Sequence, residues 1–105
     1  MHRESEVFRA LGDPTRRAIF ERLTHGEAAV KELTARCDVS QPAVSQHLAA
    51  LRRAGLVSER REGRHAYYRV DPTGLKPLIN WIEHYQAFWT DHVKQLKTLL
   101  EEMDK

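Results

Sequence analysis

The sequence predicts a mainly α-helical fold with one small β-hairpin, an α+β arrangement in a single unit spanning residues 1–105. Three observations lead there. Apolar residues recur at helical spacing up to residue 54, alternate from 56 to 70, and return to helical spacing from 72 almost to the end. A chain of 105 residues has room for one modest core. With 41% apolar and 30% charged residues, the composition is that of a folded soluble domain and is too apolar for a disordered chain.

Each element has a local reason. Val7, Phe8 and Leu11 mark a short first helix ending at Gly12. Asp13 then caps a second helix with Pro14 at its first position, where a missing N–H costs nothing. Ile19, Phe20 and Leu23 form its apolar face, and His25-Gly26 stops it. Val30 and Leu33 mark a third helix to about Arg36, and Cys37-Asp38-Val39 is a tight connection. Ser40 caps a fourth helix that Gly55 closes. Leu56–Arg61 and Arg64–Val70 read as strands around a Glu62-Gly63 turn. After Asp71-Pro72 one helix of about 30 residues follows, with Pro77 either in its first turn or after a separate short turn.

The N-terminus has no apolar run resembling a signal peptide, and no stretch is long enough to span a membrane. A lone cysteine, Cys37, excludes an internal disulfide framework and fits a reducing cytoplasm.

The net charge of +2 is uninformative, but its distribution is not. Residues 40–70 carry six arginines against Glu59 and Glu62, whereas residues 71–105 carry four lysines against six acids. Arginine is the side chain best shaped for phosphates and guanine edges. Two short helices, a three-residue connection and an immediate hairpin describe a winged helix-turn-helix, with the helix-turn-helix over 28–54 and the wing over 56–70. In the fourth helix Val44, Leu48 and Leu51 form the buried stripe. The opposite face carries Pro42, Gln46, Ala49 and Arg53, flanked by Ser45 and Arg52. Gln46 can pair with the N6 and N7 edge of adenine, and Gln41 and Ser45 can reach phosphates or bases. His47 lies nearer the core edge, where a packing role is as natural as a contact with DNA. Arg60, Arg61, Arg64 and His65 crowd the hairpin tip, as a wing along the minor groove requires. The candidate DNA-contacting set is therefore Ser40, Gln41, Ser45, Gln46, His47, Arg52, Arg53, Arg60, Arg61, Arg64 and His65.

Leu11–Arg17 (LGDPTRR), Ser40–Leu48 (SQPAVSQHL) with Leu51, Gly55 and Leu56, and Arg60–Arg64 followed by Tyr67-Tyr68-Arg69 together resemble the ArsR/SmtB winged-helix repressors. The resemblance covers nearly the whole chain. It implies a dimeric bacterial repressor on double-stranded operator DNA, whose affinity a small-molecule effector weakens. It also implies that Gln41, Ser45, Gln46 and His47 face the major groove.

Residues 72–104 are expected to dimerise. Leu75, Leu78, Ile82, Tyr85, Trp89, Val93, Leu96 and Leu100 make one stripe, widened by Trp81, Phe88 and Leu99. A face this broad needs a cover that some 70 other residues are too few to supply. The expected homodimer interface is Val7, Phe8, Leu78, Trp81, Ile82, Tyr85, Phe88, Trp89, Val93 and Leu96. Its operator is then an inverted repeat with half-sites about 34–36 Å apart.

The family's metal patterns are missing. Aligned on Ser40-Gln41-Pro42, its cysteine pair falls at Ala29 and Lys31, neither a thiolate. The last helix offers only Glu83-His84 and Asp91-His92, and these two histidines lie about 12 Å apart along one helix. No metal and no cofactor are expected, and Cys37 reads as a buried small hydrophobe. Trp81, Tyr85, Phe88 and Trp89 are core residues or the walls of an organic-ligand pocket. No Gly-rich phosphate loop, metal tetrad or Ser/His/Asp set points to an enzyme. A winged helix used for protein–protein contact is the alternative, but it has no need of an arginine-rich wing tip or a recognition helix bearing Gln and Ser.

Overall fold

The computed structural model describes residues 3–104. Residues 1, 2 and 105 of the expected unit lie outside that range. Six α-helices and three strands follow in the order α1 (Arg3–Gly12), α2 (Pro14–Leu23), β1 (Ala28–Ala29), α3 (Val30–Arg36), α4 (Gln41–Arg53), β2 (Val57–Glu62), β3 (His65–Val70), a 3₁₀ turn (Pro72–Leu75), α5 (Lys76–His84) and α6 (Gln86–Met103). The fold is a winged helix-turn-helix, mainly helical with a small antiparallel sheet.

The caps act as their sequences require. The Asp13 carboxylate accepts the Arg16 N–H at 2.9 Å, and the Ser40 hydroxyl accepts the Ala43 N–H at 3.3 Å. At the other end of α4 the Leu56 N–H reaches the Leu51 carbonyl at 2.9 Å and the Gly55 N–H reaches that of Arg52 at 3.0 Å. That pair is a Schellman motif, and Leu51 and Leu56 close it with fully buried side chains.

The core joins α1, α2, α3, α4 and the sheet. Val44, Leu48 and Leu51 are wholly buried, as the helical stripe predicts, beside Val7, Ile19, Leu33, Leu56 and Tyr68. Cys37 is half-buried at the margin of this cluster, not enclosed within it. A connection of four residues, 37–40, leaves it at the C-terminal end of α3.

Three features differ from the sequence expectation. The two-residue β1 extends the hairpin into a three-stranded sheet of order β1-β3-β2, with Ala28 opposite Tyr68. Two alanines carry no alternation to read. The hairpin turn is Gly63-Arg64, one residue later than Glu62-Gly63, because Glu62 pairs with His65. Gly63 has φ +62° and Arg64 a negative φ, the type II′ pattern that needs glycine first. The last helix is broken: Pro72 opens a 3₁₀ turn, Pro77 lies in the first turn of α5, and Tyr85 at φ −106°, ψ 9° separates α5 from α6.

The 3₁₀ turn is keyed into the end of α4. A Cβ on Gly74 would meet the Gly55 carbonyl oxygen at 1.9 Å, so only glycine fits there. The Asp71 N–H also donates to the Leu56 carbonyl at 2.9 Å. This contact sets the departure of α5 and α6 from α4. Every residue from Ile79 to Asp104 is exposed, and the molecule extends 62 Å along its longest axis.

Candidate nucleic-acid interface

The candidate interface is built by α4 and the wing. On α4 the exposed residues Gln41, Ser45 and Gln46 lie opposite the buried Val44-Leu48-Leu51 stripe. The β-hairpin rises beside its first turns. Between them runs a groove of about 420 Å³ that brings Gln41 and Ser45 together with Arg61, Arg64 and His65. Ser40 stands at its head, exposed, with its hydroxyl oxygen engaged as the α4 cap. Lys31 of α3 lines the same groove and was not foreseen, because a lone lysine on a short helix carries no pattern.

The arginines of the wing divide by strand parity. Neighbours on a strand point to opposite faces, so Arg60 and Arg61 cannot act alike. Arg61 shares a face with Glu59 and turns toward α4. Arg60 lies on the outer face, where its guanidinium holds Glu27 through bonds of 2.7 and 3.3 Å. It also reaches Glu62 at 2.6 Å and lies 4.6 Å above the centre of the Tyr67 ring. Arg60, expected as a wing-tip DNA contact, is thus engaged by two carboxylates while still exposed, and it clamps the loop before β1 to the hairpin. Hydrogen bonds from Arg60 hold the Glu27 carboxyl below its usual range.

Glu59 is a second hub, also unforeseen. Its side chain is only 13% exposed and takes Arg52 at 3.0 Å, Arg61 at 3.6 Å and the Tyr68 hydroxyl at 2.9 Å. Burial, then the neighbouring carboxylate, push the Tyr68 phenol above its ordinary value. Arg52 therefore ties the end of α4 to the base of the wing. Arg61 is partly neutralised in the groove that it lines. Among the described residues, Arg64 forms no ion pair and is the exposed cation at the turn.

Two further candidates lie away from the groove. His47 is half-buried, and its Nδ1 accepts from Arg16 Nε at 3.4 Å, so its ring faces α2. Arg53 borders a separate cleft shared with α1 and α2.

The apolar candidates also separate. Val7 is 1% exposed in the core and has no surface left for a second chain. Leu75, at the end of the 3₁₀ turn, and Leu78 of α5 pack against that core. Phe8, Trp81, Ile82, Tyr85, Phe88, Trp89, Val93 and Leu96 are exposed, and the rings of Phe8 and Trp81 meet edge-on at 5.2 Å. Trp81 and Tyr85 line an open hollow with Arg3 and Lys76, whereas Phe88 and Trp89 lie beyond it on α6. No helix among the described residues is long and apolar enough to cross a membrane.

The matched family model is a helix-turn-helix domain, over residues 11–60. The chain is 51% identical over 84 residues to the HTH-type transcriptional regulator Rv2034 of Mycobacterium tuberculosis, covering 80% of this chain and 76% of that protein. It is 35% identical over 81 residues to the transcriptional repressor SdpR of Bacillus subtilis, covering 77% and 90%. A solved ArsR-like transcriptional regulator from Rhodococcus sp. RHA1 superimposes with a TM-score of 0.72 at 31% identity, over 92% of each chain.

Proposed function

The chain belongs to the ArsR family of winged helix-turn-helix transcriptional regulators, and from that premise we propose that it is a sequence-specific repressor acting as a homodimer on an inverted-repeat operator. The observation that carries this reading is the groove between the first turns of α4 and the wing, which unites Gln41 and Ser45 with Arg61, Arg64 and His65. Amide and hydroxyl groups there meet base edges while the cations meet phosphates. Gln46, exposed on the next turn of α4, is the adenine reader in this scheme. Lys31 adds a cation beside the α4 N-terminus, and Ser40 presents the exposed backbone at its start.

Dimerisation is supported by α6. Its 18 residues, about 27 Å of helix, bury nothing within the chain although Phe88, Trp89, Val93, Leu96, Leu99 and Leu100 stand on it. An apolar face of that length in water is covered by a partner, and a two-fold pair presents two copies of α4 to one duplex. With α1 contributing Phe8, the covered surface is continuous through Trp81.

A metal at the family's cysteine positions is no part of the proposal. Ala29 and Lys31 supply a methyl group and an ammonium where thiolates would be needed. His84 lies on α5 and His92 on α6, on either side of the Tyr85 break.

Fluorescence anisotropy on DNA from upstream of the protein's own gene, against a scrambled duplex at two salt concentrations, tests the reading. Salt-dependent binding that prefers the native fragment is expected. Equal weak binding to both, with no site recovered by selection from random duplexes, would remove it.

A further inference from the structure

Outside the reading groove, α1, α2 and α4 enclose a cleft of about 300 Å³ onto which Arg9, Arg16 and Arg53 all open. We propose that this cleft is a phosphate-binding site, distinct from the contacts made by the wing.

Three arginines at the end of α4 and on β2 give the contrast. Arg52, Arg60 and Arg61 are each paired with a carboxylate. Among the described residues none of Arg9, Arg16 and Arg53 forms an ion pair, and neither does Glu6, the one acid in the cleft. Three guanidinium groups from three helices share one cleft with a single carboxylate, Glu6, so their mutual repulsion is only partly offset. An oxyanion relieves that repulsion, and phosphate matches the planar forks of arginine. The floor is Ala10, Ala50 and Ala54, whose small side chains leave the volume open.

The site also bears on α4. Arg16 donates to the Ala10 carbonyl and to His47 Nδ1, both at 3.4 Å. Bonds that long are weak, so the guanidinium can turn toward an anion at small cost. His47 is then released on the helix that reads bases. The phosphate has two sources, the backbone of a bound duplex or a free phosphate. The first rests on the DNA-binding reading; the second does not.

Arginine side-chain Nε–H resonances of the full-length protein, titrated with inorganic phosphate in place of chloride at constant ionic strength, test the site. Saturable shifts at Arg9, Arg16 and Arg53 are expected, with the clamped Arg60 as an unshifted reference. Arg9→Gln and Arg53→Gln, checked for unchanged melting temperature, are each expected to weaken phosphate binding about tenfold. The dependence of duplex binding on salt separates the sources. A slope lower by about one ion in Arg9→Gln assigns the cleft to a DNA phosphate, and an unchanged slope in that variant, with saturable phosphate shifts in the wild type, assigns it to free phosphate. Absence of saturable shifts together with an unchanged slope overturns the proposal. Should the protein bind no duplex, the phosphate titration decides the matter by itself.

Discussion

At the scale of single residues, charge matters less than what each charge already holds. Arg60 and Arg64 lie four positions apart, yet one is bound to two carboxylates and the other forms no ion pair among the described residues. Replacing Arg64 with Ala is therefore expected to weaken binding to every duplex alike and to lower the salt slope by about one. Replacing Arg60 with Ala is expected to loosen the hairpin instead, seen as broadened amide signals over residues 57–70 in the free protein. Replacing Gln46 with Ala is expected to relax preference at one base pair per half-site by about 1–3 kcal/mol; titrations against single-base operator variants read this. The clamp also predicts a pH dependence. Because Arg60 lowers the folded pKa of Glu27, its contribution is complete above the unfolded value, about 4.3, and is lost as pH falls through the lower folded one. Wing signals are expected to hold at pH 5 and to loosen only as pH falls below the unfolded value of the Glu27 carboxyl. The candidates Gln41, Ser45, Arg61 and Arg64 were legible from spacing. Strand parity alone separates Arg60 from Arg61, so that division was present in the sequence too. The partners Glu27 and Glu59 were not, because the Glu27–Arg60 bond joins residues 33 apart that only the folded sheet brings together.

At the scale of elements, the starts of α2 and α4 follow from caps, and caps are local. The Ser40 and Asp13 side chains each satisfy an N–H three residues on, which is why those starts can be read directly. The turn of the hairpin slipped by one because Gly63 fits either position until the register of Glu62 with His65 is known. The break at Tyr85 left no mark either: no proline or glycine stands there, and the stripe of apolar residues continues across it. Gly74 looks like an ordinary turn glycine in sequence, yet its role is tertiary. Gly74→Ala is expected to destabilise the fold by about 1–3 kcal/mol through overpacking against Gly55, measured as a lower urea midpoint with an unchanged slope. Alanine at Ser40 is expected to cost about 1 kcal/mol through the lost cap.

At the scale of the whole molecule, the sequence already showed more apolar helix than one core can cover. The structure sharpens this into a division: α1 to α4 and the sheet enclose a closed core, while nothing from Ile79 onward is buried. Val7 and Leu78 went to the first part and Trp89, Val93 and Leu96 to the second, a split invisible to periodicity because both halves share one spacing. Trp89→Glu is accordingly expected to yield a folded monomer, with its amide signals retained over residues 7–70 and its sedimentation coefficient reduced. That variant bears directly on the central claim, that two copies joined through α5 and α6 present two reading heads to one duplex. The decisive measurement is native mass spectrometry of the protein with its selected operator duplex. Two protomers per duplex for the wild type, and no complex for Trp89→Glu at the same concentration, is the predicted result. One protomer per duplex, with Trp89→Glu binding as tightly as the wild type, would contradict it.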